Sequence, residues 1–413
     1  MVAFHYPPCS ESSGVHRTLK FSHYLPDHGW NPIVLSASPR AYGEISTSQL
    51  SEVPDSVEVA RTFALDSHRH LALGGKSLGI TAIPDRWASW WLSAVPMGLR
   101  LIRKYRPSVI WSTYPIATAH LIASTLHRVS GIPWVADFRD IMTDDDYPPQ
   151  PRLRRAYRWI ERGVVRDAAL VVQVTASARR IYLERYPTLS SVTCRMIPNG
   201  YDEEDFSALS IRGGVLPALP LRLIHAGLIY SEERDPRPFF RALARLRRDG
   251  IISPERLRVD LKGAGSESYF GRLIQELGIG DIVFLSPRVP YHEALRECGE
   301  AAGLLVLQGP SCDGQIPAKT YEYLRLGRPI LALTTETGDT AGLVRECGGA
   351  TVVDLMDEAA IYEALPVFLD ALEKGRHPYP DPVRSSRYAR RSQAGDLAKC
   401  LGEVSALHSK RSA

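Results

Sequence analysis

The sequence is punctuated by short, uninterrupted apolar runs separated by helix-length stretches, and this constrains the fold more than anything else in it. Val109-Ile110-Trp111, Trp134-Val135-Ala136 and Leu170-Val171-Val172-Gln173-Val174 are three such runs. Others fall at 221–224, 259–261, 282–285, 304–307, 330–333 and 350–353. Strands that are apolar on both faces belong to parallel sheets covered by helices. Strand and helix in steady alternation build doubly wound α/β domains. A chain of 413 residues is too long for one compact core, so two domains are expected. Ile197-Pro198-Asn199-Gly200-Tyr201-Asp202 closes the first half, and Arg212-Gly213-Gly214 through Pro217 and Pro220 reads as a linker. The expected division is 1–205, 206–382 and a basic helical tail at 383–413. Two such domains facing each other place a ligand at their strand ends, in the cleft between them.

The stretch from Asp313 to Thr335, DGQIPAKTYEYLRLGRPILALTT, reads as a polar loop, a short helix and a buried strand. Pro317 suits the first helical turn, where a missing N–H costs nothing. Gly327 suits the position just past the helix end, and Pro329 prevents continuation. The front of that helix is an anion site in waiting, with the amides of Ala318, Lys319 and Thr320 free and the Lys319 charge beside them. Glu322 lies one turn further in and leans back toward the N-terminus, where it meets hydroxyl groups on the same ligand. A phosphate cradle, a cation and a hydroxyl acceptor together suit a nucleotide-sugar diphosphate. A plain capped helix with a solvated Lys319 explains this stretch equally well, and both readings stay open.

Composition removes several classes. The net charge of +4 comes without a polybasic run, which gives no footing for nucleic acid. No segment holds the ~18 consecutive apolar residues of a membrane span. No signal peptide is expected, since Met1-Val2-Ala3-Phe4-His5 leads straight into Tyr6-Pro7-Pro8. The six cysteines lack CxxC or His/Cys ligand spacing and read as reduced thiols of a cytoplasmic protein. Asp144-Asp145-Asp146 reads as a solvated loop, and no metal or other cofactor is expected. Neither GxGxxG after the first strand nor GxSxG is present, against a dinucleotide dehydrogenase and a serine hydrolase. Arg86-Trp87-Ala88-Ser89-Trp90-Trp91-Leu92 is either a helix stripe packed on its sheet or an interfacial anchor.

The order of motifs resembles bacterial glycosyltransferases of the family 4-like group. The matching stretches are Tyr6-Pro7-Pro8 with Ser13-Gly14-Val15-His16-Arg17, then Pro133 to Asp140, then Ile197 to Asp202. Ala226-Gly227-Leu228-Ile229-Tyr230, Arg234-Asp235-Pro236 and the block 317–333 follow. The resemblance implies the GT-B fold, with two Rossmann-like domains and a C-terminal helix crossing back onto the first. It implies a nucleotide-sugar donor held mainly by the second domain, a hydroxyl acceptor, and transfer with retention.

Carried over residue by residue, the resemblance assigns the diphosphate to Arg234 and Lys319, and the ribose hydroxyls to Glu322. The arginine usual after the strand-ending glycine is missing, because Leu228 follows Gly227. The first glutamate of the family's pair is replaced by Gly314, so the amides of Gln315 and Ile316 are expected to serve in its place. Gly14 fits a close approach of backbone to the diphosphate, and Val289 falls where the base is usually met. With Gly227, Pro317, Ala318 and Thr320 these complete the expected donor site. On the acceptor side stand His16, Asp137, Arg139 and Asp140. Arg139 replaces the family's histidine and holds an anion, while Asp140 takes a proton from the acceptor hydroxyl. A structural Arg–Asp pair fixing the loop is the competing reading. The expected setting is cell-surface polysaccharide or glycoconjugate assembly, a lipid-linked acceptor being one option, with a weak peripheral membrane association. A nucleotide-sugar 2-epimerase of the same fold, or a non-catalytic nucleotide- or sugar-binding scaffold, are the alternatives.

Overall fold

The computed structural model describes residues 1–12, 14–47, 49–70, 83–209, 216–230 and 233–412. In chain order the elements are α1 (Gly14–Tyr24), β1 (Ile33–Ala37), β2 (Glu58–Thr62), α2 (Ser67–His70), α3 (Trp90–Tyr105) and β3 (Ile110–Thr113). There follow α4 (Ala117–Ser130), β4 (Trp134–Phe138), α5 (Pro151–Asp167), β5 (Leu170–Gln173), α6 (Ala176–Arg185) and β6 (Cys194–Met196). Next come β7 (Leu221–Ala226), α7 (Arg237–Arg248), β8 (Leu257–Lys262), α8 (Glu267–Glu276), β9 (Val283–Ser286), α9 (Tyr291–Glu300) and β10 (Gly303–Leu307). The chain closes with α10 (Ala318–Leu326), β11 (Ile330–Leu333), α11 (Asp339–Cys347), β12 (Ala350–Val353), α12 (Glu358–Glu373), α13 (Pro382–Ser385) and α14 (Arg390–Ser412).

Two compact units result, one of Met1–Pro198 with Arg390–Ala413, the other of Asn199–Ala389. The first border falls seven residues before the expected 205, for a packing reason. Tyr201 and Phe206 are buried with Ile224 and Tyr321 of the second unit, and the Tyr201 amide donates to Tyr388 O at 3.1 Å. The tail divides later than the expected 383. Residues 383–389 stay with the second unit, where Asp381 N meets Cys347 O at 2.8 Å and Arg384 Nη1 meets Glu346 O at 2.8 Å. The long helix begins only at Arg390. The expected linker around Arg212-Gly213-Gly214 lies outside the described residues.

In the first unit the opening segment pairs through Val2, which bridges Leu35 on one side and Ser112 on the other. Ala3 N donates to Leu35 O at 3.1 Å and Val2 N to Trp111 O at 2.7 Å. That segment joins the parallel pair β1-β2 to the parallel run β3-β4-β5-β6. Helix α1 buries Val15, Leu19 and Phe21, and Gly29 closes the following turn in the left-handed region at φ 78°. Helix α14 lays Ala394, Leu397, Ala398, Leu401 and Val404 against Phe21, Tyr24 and Leu25, the spacing of one helical face. Two tryptophans of the stripe pack inward, Trp87 and Trp90 being buried against Phe4, while exposed Trp91 donates from Nε1 to Thr125 Oγ1 at 3.0 Å.

The second unit is a six-stranded parallel sheet of order β12-β11-β10-β7-β8-β9. Strands β10 and β11 are buried at every position, as their continuous apolar sequences require. Among the described residues no helix is long and apolar enough to cross a membrane. All six cysteines are free thiols.

Candidate functional site

In the second unit the strand order reverses between β7 and β10. At such a switch point the strand ends splay and leave a crevice for a ligand. Strand β7 ends in His225-Ala226-Gly227, and β10 runs into Gln308-Gly309. Buried Gln308 shapes the loop beyond: its Nε2 donates to Cys312 O at 2.5 Å and Gln315 O at 2.7 Å, and its Oε1 accepts from Thr340. Gly309 N donates to Glu233 O at 2.8 Å, and a side chain on Gly309 would come within 2.6 Å of that oxygen. The segment carrying Arg234 is thereby held against the end of β10.

Lys319 and Arg234 meet at this crevice. Lys319 Nζ lies 2.9 Å from His225 Nε2, and a Cβ on Gly227 would stand 2.9 Å from the same Nζ. Burial brings the Lys319 ammonium down to about 7, and the Arg234 charge pushes the same way while Glu322 opposes. Arg234 lies over the Tyr230 ring at 5.6 Å, its amide donates to Tyr230 O at 2.7 Å, and its buried Nε has no partner among the described residues. Neither cation forms an ion pair with a carboxylate among the described residues. Gly227 has φ 116°, a backbone that L side chains rarely adopt. Gly227→Ala is therefore expected to cost about 1–2 kcal/mol of stability, read as a lower urea midpoint. A midpoint equal to wild type would show that the turn relaxes freely.

The front of α10 differs in detail from expectation. Pro317 is the N-cap residue, with ψ 135°, rather than the first helical residue. The Thr320 amide donates to Pro317 O at 2.9 Å and is not free, because the first turn tightens to bonds three residues apart. Ala318 and Lys319, the first two helical residues, are the ones whose amides have no carbonyl one turn back. The Gln315 amide donates to Cys312 O at 2.9 Å, so it is not available to replace the missing glutamate. Ile316 packs against the core cluster of Tyr323 and Leu324. Glu322 Oε1 accepts from Tyr291 Oη at 2.9 Å, and that hydroxyl also approaches Asp205 Oδ2 at 3.3 Å. Val289 sits half-buried in the loop before α9.

The first unit separates the expected acceptor-side residues. Asp137 is wholly buried and paired with Arg17, whose Nε and Nη2 reach its two oxygens at 3.1 and 2.7 Å. Thr113 Oγ1 donates to the same carboxylate at 2.8 Å. Asp137 is therefore structural, a correction to its place beside the acceptor. Arg139 points elsewhere: its Nε donates to Tyr114 O at 2.5 Å, and its guanidinium lies where a Gly14 side chain would be, 1.8 Å from that Cβ position. A side chain at Gly14 would have to displace the Arg139 guanidinium. Burial lowers the Arg139 guanidinium to about 10, which leaves it charged at neutral pH. His5 stands near it, held neutral by burial and by the charges of Arg139 and Arg86, at about 3. Asp140 is exposed, and His16 is exposed beside Gln49, with Gln49 Nε2 at 3.3 Å from its Nδ1. Asp144-Asp145-Asp146 sits in a loop where Asp144 Oδ1 caps the Asp145 amide at 2.9 Å. No group of three or more His, Cys, Asp or Glu side chains converges on a metal site among the described residues.

Four contributors escaped sequence reading: His225, Gln308, Tyr291 and Arg17. Only His225 carried a signal, a polar residue directly before a strand-ending glycine. Tyr291 and Arg17 act through contacts 31 and 120 residues away in sequence, and Gln308 joins its own loop to Thr340, 32 residues on.

Residues 14–200 match the family model of the glycosyl transferase 4-like domain. No curated protein matches the sequence. Sucrose-phosphate synthase from Thermosynechococcus elongatus superposes with TM-score 0.65 at 14% identity, over 98% of this chain and 99% of that one. HepE from Anabaena, solved with UDP, gives TM-score 0.63 at 13% identity, over 98% and 100% of the two chains. The lipopolysaccharide outer core galactosyltransferase WaaB gives 0.59 at 11% identity, over 97% and 98%. Residues 14–200 are thus similar to the glycosyl transferase 4-like domain, and the chain has the α/β fold of GT-B glycosyltransferases.

Proposed function

We propose that this chain transfers a sugar from a nucleoside-diphosphate donor to a hydroxyl acceptor, with the donor held by the second unit. One observation carries the reading: Lys319 and Arg234 converge at the β7–β10 switch point, beside the first amides of α10, without a carboxylate partner among the described residues. Two cationic groups that lack an ion-pair partner at a helix start are costly unless an anion joins them. A diphosphate supplies that charge, and Glu322 one turn along α10 accepts from a hydroxyl, as it does from Tyr291. HepE, of the same fold, was solved with UDP.

In transfer, charge grows on the leaving diphosphate, and donors fixed in advance stabilise it most. Lys319 and Arg234 fill that role. Retention follows if the leaving phosphate itself takes the acceptor's proton. Arg139 in the first unit, charged and set against Gly14, is suited to an anionic acceptor group. A cytoplasmic place, at times on a membrane face with a lipid-linked acceptor in cell-surface glycan assembly, completes the proposal.

Thermal shift with ADP, GDP, UDP, TDP and their sugars tests it. A donor that binds only the folded chain stabilises it by about 2.7 kcal/mol at a hundredfold excess over Kd. The expected result is a clear rise with one base. A flat response to all of them removes the donor site. Product analysis with donor alone then separates transfer or hydrolysis from epimerisation.

A further inference from the structure

His225 stands at the end of β7, 1% exposed, with both ring nitrogens engaged. Its Nδ1 lies 2.9 Å from the carbonyl oxygen of Leu305 on β10. A carbonyl only accepts, so the ring proton sits on Nδ1 and Nε2 keeps its lone pair. That lone pair faces Lys319 Nζ at 2.9 Å, and an ammonium only donates. The bonds therefore run one way, from Nζ to Nε2 and from Nδ1 to Leu305. Gly227 completes the seat, since any Cβ there would crowd the same Nζ at 2.9 Å.

We propose that His225 is a positioning residue for the phosphate site, its neutral imidazole fixing the Lys319 ammonium where a donor's diphosphate docks. The proposal rests on reading that site as one for nucleoside diphosphates. Lysine is a flexible point charge, and an acceptor locked into the sheet removes its freedom before the ligand arrives. The imidazole suits this role better than a carboxylate, because it orients the ammonium without neutralising it.

The groups facing Nζ are His225 from β7, Arg234 from the loop after β7, Glu322 from α10 and Cys298 from α9. With burial and Arg234 prevailing, the free site loses its ammonium as pH rises through about 7. A bound diphosphate favours the ammonium and raises that midpoint. Binding is thus strongest below about pH 7, and above it takes up a proton and weakens, by up to tenfold per pH unit.

Titration calorimetry decides the matter, using whichever of ADP, GDP, UDP and TDP gives the largest thermal shift. It is run near pH 6 and near pH 8, in buffers of differing ionisation enthalpy. His225→Leu is expected to weaken binding roughly tenfold or more, and to do nothing further in a Lys319→Met background. His225→Gln, whose amide oxygen accepts from Nζ, recovers part of the loss. Wild type takes up a proton near pH 8, and Lys319→Met does not. Wild-type affinity in both histidine variants overturns the proposal and leaves the site intact. Equal weakening of wild type and Lys319→Met also overturns it, because His225 then acts through the fold. If no nucleotide binds wild type, the site reading falls and takes this proposal with it. Should His225→Leu fail to fold, the glutamine variant and the proton count still decide.

Discussion

Lys319→Met is expected to lower turnover by about 10²–10³, the usual cost of deleting one fixed donor from a site where negative charge develops. The seat explains the size. Nζ is held by a buried histidine and walled by Gly227, so no water takes the ammonium's place in the same geometry. Methionine keeps the length of the side chain and removes only the charge and its donors. Lys319→Arg is expected to rescue little, because a planar fork does not reproduce the single ammonium contact to His225 Nε2 at 2.9 Å. Arg234→Ala is expected to cost less, since Arg234 is half-buried and its charge acts through more water. Steady-state assays with the donor found by thermal shift rank the three, and melting curves check that each folds. Turnover within threefold of wild type in Lys319→Met would exclude this lysine from the chemistry.

That ranking depends on features of unequal visibility in the sequence. Strands β10 and β11 were legible because a buried parallel strand needs apolar side chains on both faces, and few other elements do. Gly327, left-handed at φ 63°, was legible as a helix stop for a similar reason, since local backbone geometry fixes the residue type. Lys319 and Glu322 could be placed at the front of a helix, but not given neighbours. Their neighbours come from His225 on β7 and Tyr291 on α9, and local sequence holds no record of which strand lies beside which. The Thr320 amide was misread because the tightening of a first turn is a backbone detail that side chains do not announce. Asp137 was misread more seriously. An Asp-Phe-Arg-Asp run at a strand end looks like a row of polar groups offered to a ligand, yet its members face different ways. Asp137 belongs to the fully buried strand β4 and turns to Arg17, whereas Arg139 and Asp140 lie in the bend after the strand, where Asp140 is exposed.

Asp137→Ala is for that reason expected to destabilise the first unit by about 3–5 kcal/mol, the cost of stranding one partner of a buried ion pair. Arg17 is 1% exposed and cannot turn to water. With the carboxylate gone, its guanidinium keeps, among the described residues, the carbonyls of Ile197 and Pro198, at 2.9 and 2.8 Å. Those carbonyls sit at the end of the unit's first segment, 1–198, so the same arginine ties α1, β4 and that segment's end together. All seven tryptophans lie between residues 30 and 159, which makes tryptophan fluorescence a reporter of this unit alone. Urea unfolding followed by that signal should show the midpoint falling in Asp137→Ala, while far-ultraviolet dichroism keeps a second transition from the other unit. Arg17→Met combined with Asp137→Leu should regain much of the loss, because two apolar groups leave no buried charge behind. A midpoint shift worth less than about 1 kcal/mol in Asp137→Ala, together with loss of transfer, would return Asp137 to the acceptor side. The opposite outcome, a large shift with the double substitution partly restored, leaves Arg139 and Asp140 as the residues of that loop with chemistry to offer.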